Sequence, residues 1–289
     1  MISNEQKEMI TARLQEFIAR YPSQNKAVNA LKGTSAATVS SIINHNWDKI
    51  SDAMWMRIAS QISSGDAWTI CETAAYQSIQ ILFEDAQSES NVMWVIAPAG
   101  TGKSTAAKEY ARSHRNVFLL QCSEDMHKVD FIRELAALIG ISAQGLTVRE
   151  TLATIIKELS VKDAPLLIFD EGDKLTDTVL YYYVSLYNAL EDKCGMVFLS
   201  TNYMQERLRK GVMRGKKGYD ELDSRLCRRF ISLQPVNTTE VIAICRANGL
   251  NDETAISSVC QEAAECANDL RRVKRSIHKQ LKKLSLKIQ

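Results

Sequence analysis

Gly100, Gly102, Lys103 and Ser104 stand at spacings that suit phosphate chemistry. They lie within Ala97-Pro98-Ala99-Gly100-Thr101-Gly102-Lys103-Ser104. That segment follows an apolar run, Val92-Met93-Trp94-Val95-Ile96, and leads into Thr105 to Arg112, whose pattern is helical. Strand, glycine-bearing loop, Gly-Lys-Ser and helix together form a cradle for a nucleoside triphosphate. Glycine has no Cβ, so backbone N–H groups around Gly100 and Gly102 can turn inward on the phosphates. In this reading Pro98, Ala99, Gly100, Thr101, Gly102 and Thr105 shape the cradle. Lys103 reaches the β- and γ-phosphates, Ser104 offers its hydroxyl to Mg²⁺, and the helix N-terminus favours the negative charge. The pattern G-x-x-x-x-G-K-[ST] has glycine where this chain has Ala97, the smallest replacement that carries a Cβ.

Three further groups of residues fit the same chemistry. Asp170 and Glu171 end the apolar run Leu166-Leu167-Ile168-Phe169, so both carboxylates fall at the C-terminal end of a buried strand, where α/β sheets place ligands. Asp170 suits a direct or indirect hold on Mg²⁺, and Glu171 suits the polarising of an attacking water; Asp173 reads as the start of the next helix. Ser200-Thr201-Asn202 ends another apolar run, and Asn202 is placed to hold that water. Arg225, Arg228 and Arg229 precede a short strand-like stretch, Phe230 to Leu233. An arginine reaching a neighbouring subunit's γ-phosphate would stabilise transition-state charge.

The elements that must position these groups alternate. Strand-like runs at 92–96, 117–120, 166–169, 196–199 and 230–233 are separated by helical patterns at 105–112, 129–139, 147–159 and 175–190. Such alternation predicts a mostly parallel sheet covered on both faces. The 289 residues are 45% hydrophobic and 24% charged, enough for two or three domains. A net charge of +2 excludes a strongly basic nucleic-acid binder, so any DNA affinity must be local. Seven cysteines without CxxC spacing argue against a zinc site or a disulfide framework and for a reducing, cytoplasmic setting. No run of 18 apolar residues is present, which predicts no membrane partner.

Residues 91 to 280 resemble the AAA+ family of ATPases. The resemblance implies Walker A at Lys103 and Ser104, Walker B at Asp170 and Glu171, sensor 1 at Asn202 and sensor 2 at Arg271, within Asn268-Asp269-Leu270-Arg271-Arg272-Val273. It also implies a trans-acting arginine finger at Arg229 or Arg225, with ATP and Mg²⁺ as ligands. The expected fold is α/β: a three-layer αβα P-loop core over residues 91–235, a helical lid over 236–289, a linker helix over 65–90 and an all-α domain over 1–64.

In that first domain, two short helical segments flank Gly33, the second beginning Ser-Ala-Ala-Thr-Val-Ser, and resemble the helix-turn-helix of phage repressors. The second segment offers Ser35, Thr38, Ser40, Ser41 and Asn44 but no Lys or Arg, with Lys26 and Lys32 nearby. It suits either a DNA groove or a protein partner. With the AAA+ core, this domain and the helix containing Glu72-Thr73-Ala74-Ala75-Tyr76 resemble the transposition protein B family of phage Mu. That resemblance implies a bacterial host, ATP-dependent self-assembly into a ring or helical filament on double-stranded DNA, and delivery of that DNA to a transposase. A helicase loader or a nucleotide-responsive DNA-binding repressor are the alternatives.

Two basic stretches remain. Arg207, Arg209, Lys210, Arg214, Lys216 and Lys217 crowd a glycine-bearing segment that reads either as a mobile solvated loop or as a DNA-facing one. Residues 270 to 288 place Leu270, Val273, Ile277, Leu281, Leu284 and Ile288 at helical spacing, with eight Lys and Arg on the remaining faces. Tyr181-Tyr182-Tyr183 reads as partly core.

Overall fold

Serine hydroxyls mark where the first short helices begin. Ser23 and Ser35 are extended in backbone and accept the N–H groups of Lys26 and Thr38, satisfying donors that a helix start leaves open. The computed structural model describes residues 3–19, 21, 23–31, 33–48, 50–62, 68–225 and 230–287. Its first compact unit, Met1–Thr69, contains helices α1 (Asn4–Ala19), α2 (Gln24–Ala30), α3 (Ala36–Ile43) and α4 (Asp52–Ile62). Leu14, Val39, Ile42, Trp55 and Ile58 are fully buried among them. Trp47 meets Trp55 edge-on at 5.6 Å. Gly33 lies in the turn between α2 and α3 at φ +70°. Lys32, and the boundary expected at Gly65 and Asp66, lie outside the described residues.

The second unit, Ile70–Gln289, holds the sheet. The apolar runs form β1 (Val92–Ile96), β2 (Val117–Gln121), β3 (Leu166–Asp170), β4 (Gly195–Ser200) and β5 (Phe230–Ser232). They pair in the order β2-β3-β4-β1-β5, and every pairing is parallel. β3 and β4 are buried at every position because helices cover both faces, which is why they read as unbroken apolar runs. Along β1, Trp94 and Ile96 point into one core while Met93 and Val95 point into the other.

Helices α7 (Lys128–Ile139), α8 (Val148–Ser160), α9 (Asp177–Leu190), α10 (Tyr203–Met213) and α11 (Tyr219–Arg225) cover the first of these cores. Phe198 is its centre: Trp94 stacks on it at 4.4 Å, Phe169 at 4.6 Å, and Tyr183 meets it edge-on at 4.7 Å. Of the three successive tyrosines, Tyr183 is buried, Tyr182 packs against the core and Tyr181 is exposed. The opposite face is covered by α5 (Ala74–Glu89) and α6 (Lys103–Ser113).

Two expectations change here. The segment at 65–90 does not act as a linker helix over its described part. α5 buries Ala75, Ile79, Phe83 and Ala86 against the sheet. A Cβ added to Gly195 of β4 would lie 2.1 Å from the Ala86 carbonyl oxygen, so α5 sits closer to the strand than any side chain would allow. The basic glycine-bearing segment, in turn, is the second half of α10 followed by a short turn from Arg214 to Gly218 that leads into α11, rather than one long loop. The segment expected as a lid folds as three helices, α12 (Thr238–Ala247), α13 (Glu253–Ala264) and α14 (Leu270–Lys287), with Val259, Val273 and Ile277 buried. Among the described residues no helix is long and apolar enough to cross a membrane.

Candidate nucleotide-binding site

The C-terminal ends of β1, β3 and β4 and the start of α14 surround one cavity. Residues 99–105, Asp170, Glu171, Asp173, residues 199–201 and Arg271 line it. Gly100 and Gly102 have φ of +77° and +99°, the left-handed backbone the cradle requires. α6 starts directly after Gly102, so the open N–H groups of its first turn face the same space. Thr101 is buried, and its hydroxyl donates to the Pro98 carbonyl at 2.7 Å, fixing the loop from within.

Lys103 is held in place before any phosphate arrives. Its ammonium donates to the carbonyls of Ala97 at 2.7 Å and Pro98 at 2.9 Å. Burial pushes its pKa below the usual lysine range; Asp170 and Asp173 pull it up, and Arg271 pushes it further down. A triphosphate would supply the negative charge this ammonium lacks.

Asp170 is 1% exposed. Its Oδ1 accepts the Glu171 N–H at 3.0 Å, while the buried Oδ2 has no hydrogen-bond partner of good geometry. Burial raises its pKa above the ordinary carboxylate value; the nearby Ser104 hydroxyl opposes this, and the Glu171 charge adds to it. A buried carboxylate oxygen without a partner, beside a serine hydroxyl, fits a hard oxygen-seeking cation such as Mg²⁺.

Glu171 has φ +57°, an uncommon backbone for a residue with a Cβ, and this turns the chain sharply after β3. Its carboxylate lines the cavity but is paired with Lys174 at 2.5 Å. Sequence reasoning passed over that lysine. Asp173, read from the sequence as the start of the next helix, instead lines the cavity and accepts both the hydroxyl and the N–H of Thr201, while α9 begins at Asp177. Asp173 thereby ties the turn after β3 to the end of β4. Both residues lie within three positions of Glu171, which was the available signal.

Asn202, expected at the water, is exposed at the start of α10 and is not in the cavity wall; Thr201 stands there instead. Strand β4 ends with Ser200, whose hydroxyl accepts the Trp94 indole N–H at 2.6 Å. That bond fixes the strand end, and the Asp173 carboxylate holds Thr201 in the cavity wall. Arg271 does reach it. The Asp269 carboxylate accepts the Arg271 N–H at 2.8 Å, capping the turn that presents this arginine. Of the two finger candidates, Arg229 lies outside the described residues, as does Arg228. Arg225 is half-buried and does not line the cavity. It pairs with Glu221 at 3.6 Å and lies 5.5 Å over the Tyr187 ring.

Comparison with known proteins agrees with this geometry. The AAA domain family matches residues 86–208. The DNA transposition protein B of the Mu-like prophage FluMu of Haemophilus influenzae is 25% identical, over 83% of this chain and 85% of that protein. Among solved structures, the ORC1 protein of Aeropyrum pernix, determined in complex with DNA, superposes with a TM-score of 0.53 at 16% identity. That match covers 70% of this chain but 57% of the ORC1 chain, and it shows a shared fold. The parallel sheet, the Gly-Lys-Ser cradle and the carboxylates beside it thus fit the AAA domain matched over residues 86–208, in a chain that resembles the transposition protein B of a Mu-like prophage.

Proposed function

We propose that the chain is an ATPase of DNA transposition that assembles on duplex DNA when ATP is bound and presents that DNA to a transposase. The observation that carries this reading is the convergence of Lys103, Asp170, Glu171 and Arg271 on one cavity, in a chain that resembles a transposition protein B over most of its length.

In the ATP-bound protein Lys103 exchanges its two loop carbonyls for phosphate oxygens. Ser104 and the free oxygen of Asp170 are the residues to hold Mg²⁺, which supplies charge neutralisation between phosphates. Glu171, released from Lys174, orients and polarises the attacking water, with Thr201 beside it. Arg271 brings the lid onto the phosphates, and Arg229 or Arg225 of a neighbouring copy completes the charge.

DNA is assigned to the exposed side chains of Arg209, Arg214 and Lys217 and to the start of α3, where Ser35 and Thr38 stand. The test is duplex binding across a salt series, with and without a non-hydrolysable ATP analogue. Binding should be tightened by the analogue, show little sequence preference and weaken steeply with salt. Changing Arg209, Arg214 and Lys217 together to Ala should reduce the slope of log affinity against log salt by about 0.9 for each phosphate no longer neutralised. An unchanged slope would assign these side chains to solvent.

A further inference from the structure

The basic segment and the nucleotide cavity share a joint, and its centre is Asp177, the first residue of α9. One oxygen of its carboxylate takes the Arg207 guanidinium and the Tyr219 hydroxyl, the latter at 2.7 Å. The other takes the Lys216 ammonium, which also lies 4.9 Å over the Tyr219 ring. Burial pushes the Asp177 pKa up, but the bonds from Lys216, Arg207 and Tyr219 outweigh it and hold the value at about 2. The carboxylate therefore stays ionised at neutral pH.

Arg207 carries the connection onward. Its guanidinium also donates to the carbonyls of Asp173 at 3.3 Å and Leu175 at 2.7 Å, the turn directly after Glu171. The Asp173 side chain in turn holds Thr201 in the cavity wall. The three basic and acidic groups differ in exposure: the side chains of Arg207 and Asp177 are 16% and 27% exposed, that of Lys216 53%. A purely structural clamp is complete with Arg207 and Tyr219. Lys216 adds an exposed arm that a solvent anion can take away, and it sits in sequence between exposed Arg214 and Lys217.

We propose that Asp177 is a positioning residue that couples the nucleotide cavity to a polyanion bound on the basic segment: phosphate groups of duplex DNA compete with Asp177 for Lys216, and the exchange is felt through Arg207 at the turn that carries Glu171. This rests on the reading that the segment contacts DNA. Coupling between two ligands is reciprocal in binding free energy, so occupancy of the cavity must in turn change the hold on DNA.

The experiment measures, on the full chain, the factor by which a non-hydrolysable ATP analogue tightens binding of a random-sequence duplex. Wild type, Asp177→Asn and Lys216→Met are compared. The wild-type factor should be about five-fold or more, the lower end of ordinary coupling between sites, and should collapse toward unity in both variants. Without nucleotide their duplex affinities should move in opposite directions. Asp177→Asn frees Lys216 and tightens binding; Lys216→Met removes a cation that neutralises phosphate and weakens it. A role in folding alone would not split the variants in this way. If Asp177→Asn fails to fold, the exposed Lys216→Met still decides the matter. A large wild-type factor left intact in Lys216→Met would overturn the coupling and leave DNA binding standing. A wild-type factor of unity would overturn ATP-dependent DNA binding and the coupling with it.

Discussion

The carboxylate of Asp269 fills the space directly over Gly100: a Cβ added to Gly100 would lie 2.2 Å from its Cγ. The Leu270 N–H donates to the Gly100 carbonyl at 2.9 Å. Lid and phosphate cradle are thus in backbone contact, and the same turn sets Arg271 at the cavity.

Gly100→Ala should therefore damage more than the loop. The left-handed φ alone would cost about 1–3 kcal/mol, and the added methyl must displace Asp269. Thermal unfolding and titration with an ATP analogue are the measurements, with a lower melting temperature and weaker nucleotide binding expected. Wild-type values for both would mean that Asp269 moves aside freely and the contact is incidental.

Asp170 makes a prediction about pH. Its folded pKa lies above the unfolded value of 3.8 because its charge is buried. Below 3.8 the group is protonated in both states and costs nothing. As pH rises through the raised folded value, the ionised form destabilises the ligand-free fold, and the cost is complete above it. Asp170→Asn should stabilise the ligand-free protein at neutral pH by about 1 kcal/mol or more, with the difference from wild type vanishing in acid. The same variant should lose Mg²⁺-dependent ATP turnover. A variant less stable than wild type at neutral pH would mean that Asp170 is already compensated.

The strands and the cradle were legible because each depends on local pattern. Val92 to Ile96 is unbroken and apolar since both sheet faces are covered, and Gly-Lys-Ser follows at the spacing that closes a phosphate loop. What escaped the sequence depends on partners distant along the chain or on which way a strand end turns. Asp173 meets Thr201, 28 positions away, and Arg207 meets Asp177, 30 positions away. Thr201 rather than Asn202 stands at the cavity, held by its bonds to Asp173, which no periodicity announces. α5 read as a linker because its apolar face is the same whether it packs on a sheet or elsewhere; the absence of a side chain at Gly195 is what lets it approach.

If Arg229 acts on a neighbouring subunit, ATP turnover per subunit should rise with protein concentration and with DNA. Arg229→Ala should keep nucleotide binding and lose DNA-stimulated turnover. Mixed with Lys103→Ala, which retains Arg229, it should regain part of the activity, since each supplies what the other lacks. No recovery at any ratio, with mixed assemblies confirmed by sizing, would place the arginine in its own subunit's site or in a structural role. Arg225→Ala, by contrast, should cost about 0.5–1 kcal/mol of stability as the cation leaves the Tyr187 ring.

Steady-state ATP turnover, with nucleotide binding measured on the same preparations, tests the cavity most directly in wild type, Lys103→Ala and Glu171→Gln. Wild type should bind and hydrolyse ATP when Mg²⁺ is present. Lys103→Ala should lose binding, because the ammonium matched to the triphosphate is gone. Glu171→Gln should bind as wild type does yet lose at least about a hundred-fold in turnover, the ordinary scale of a positioned general base. A fully active Glu171→Gln, or a wild type that binds no ATP, would contradict the assignment of this cavity.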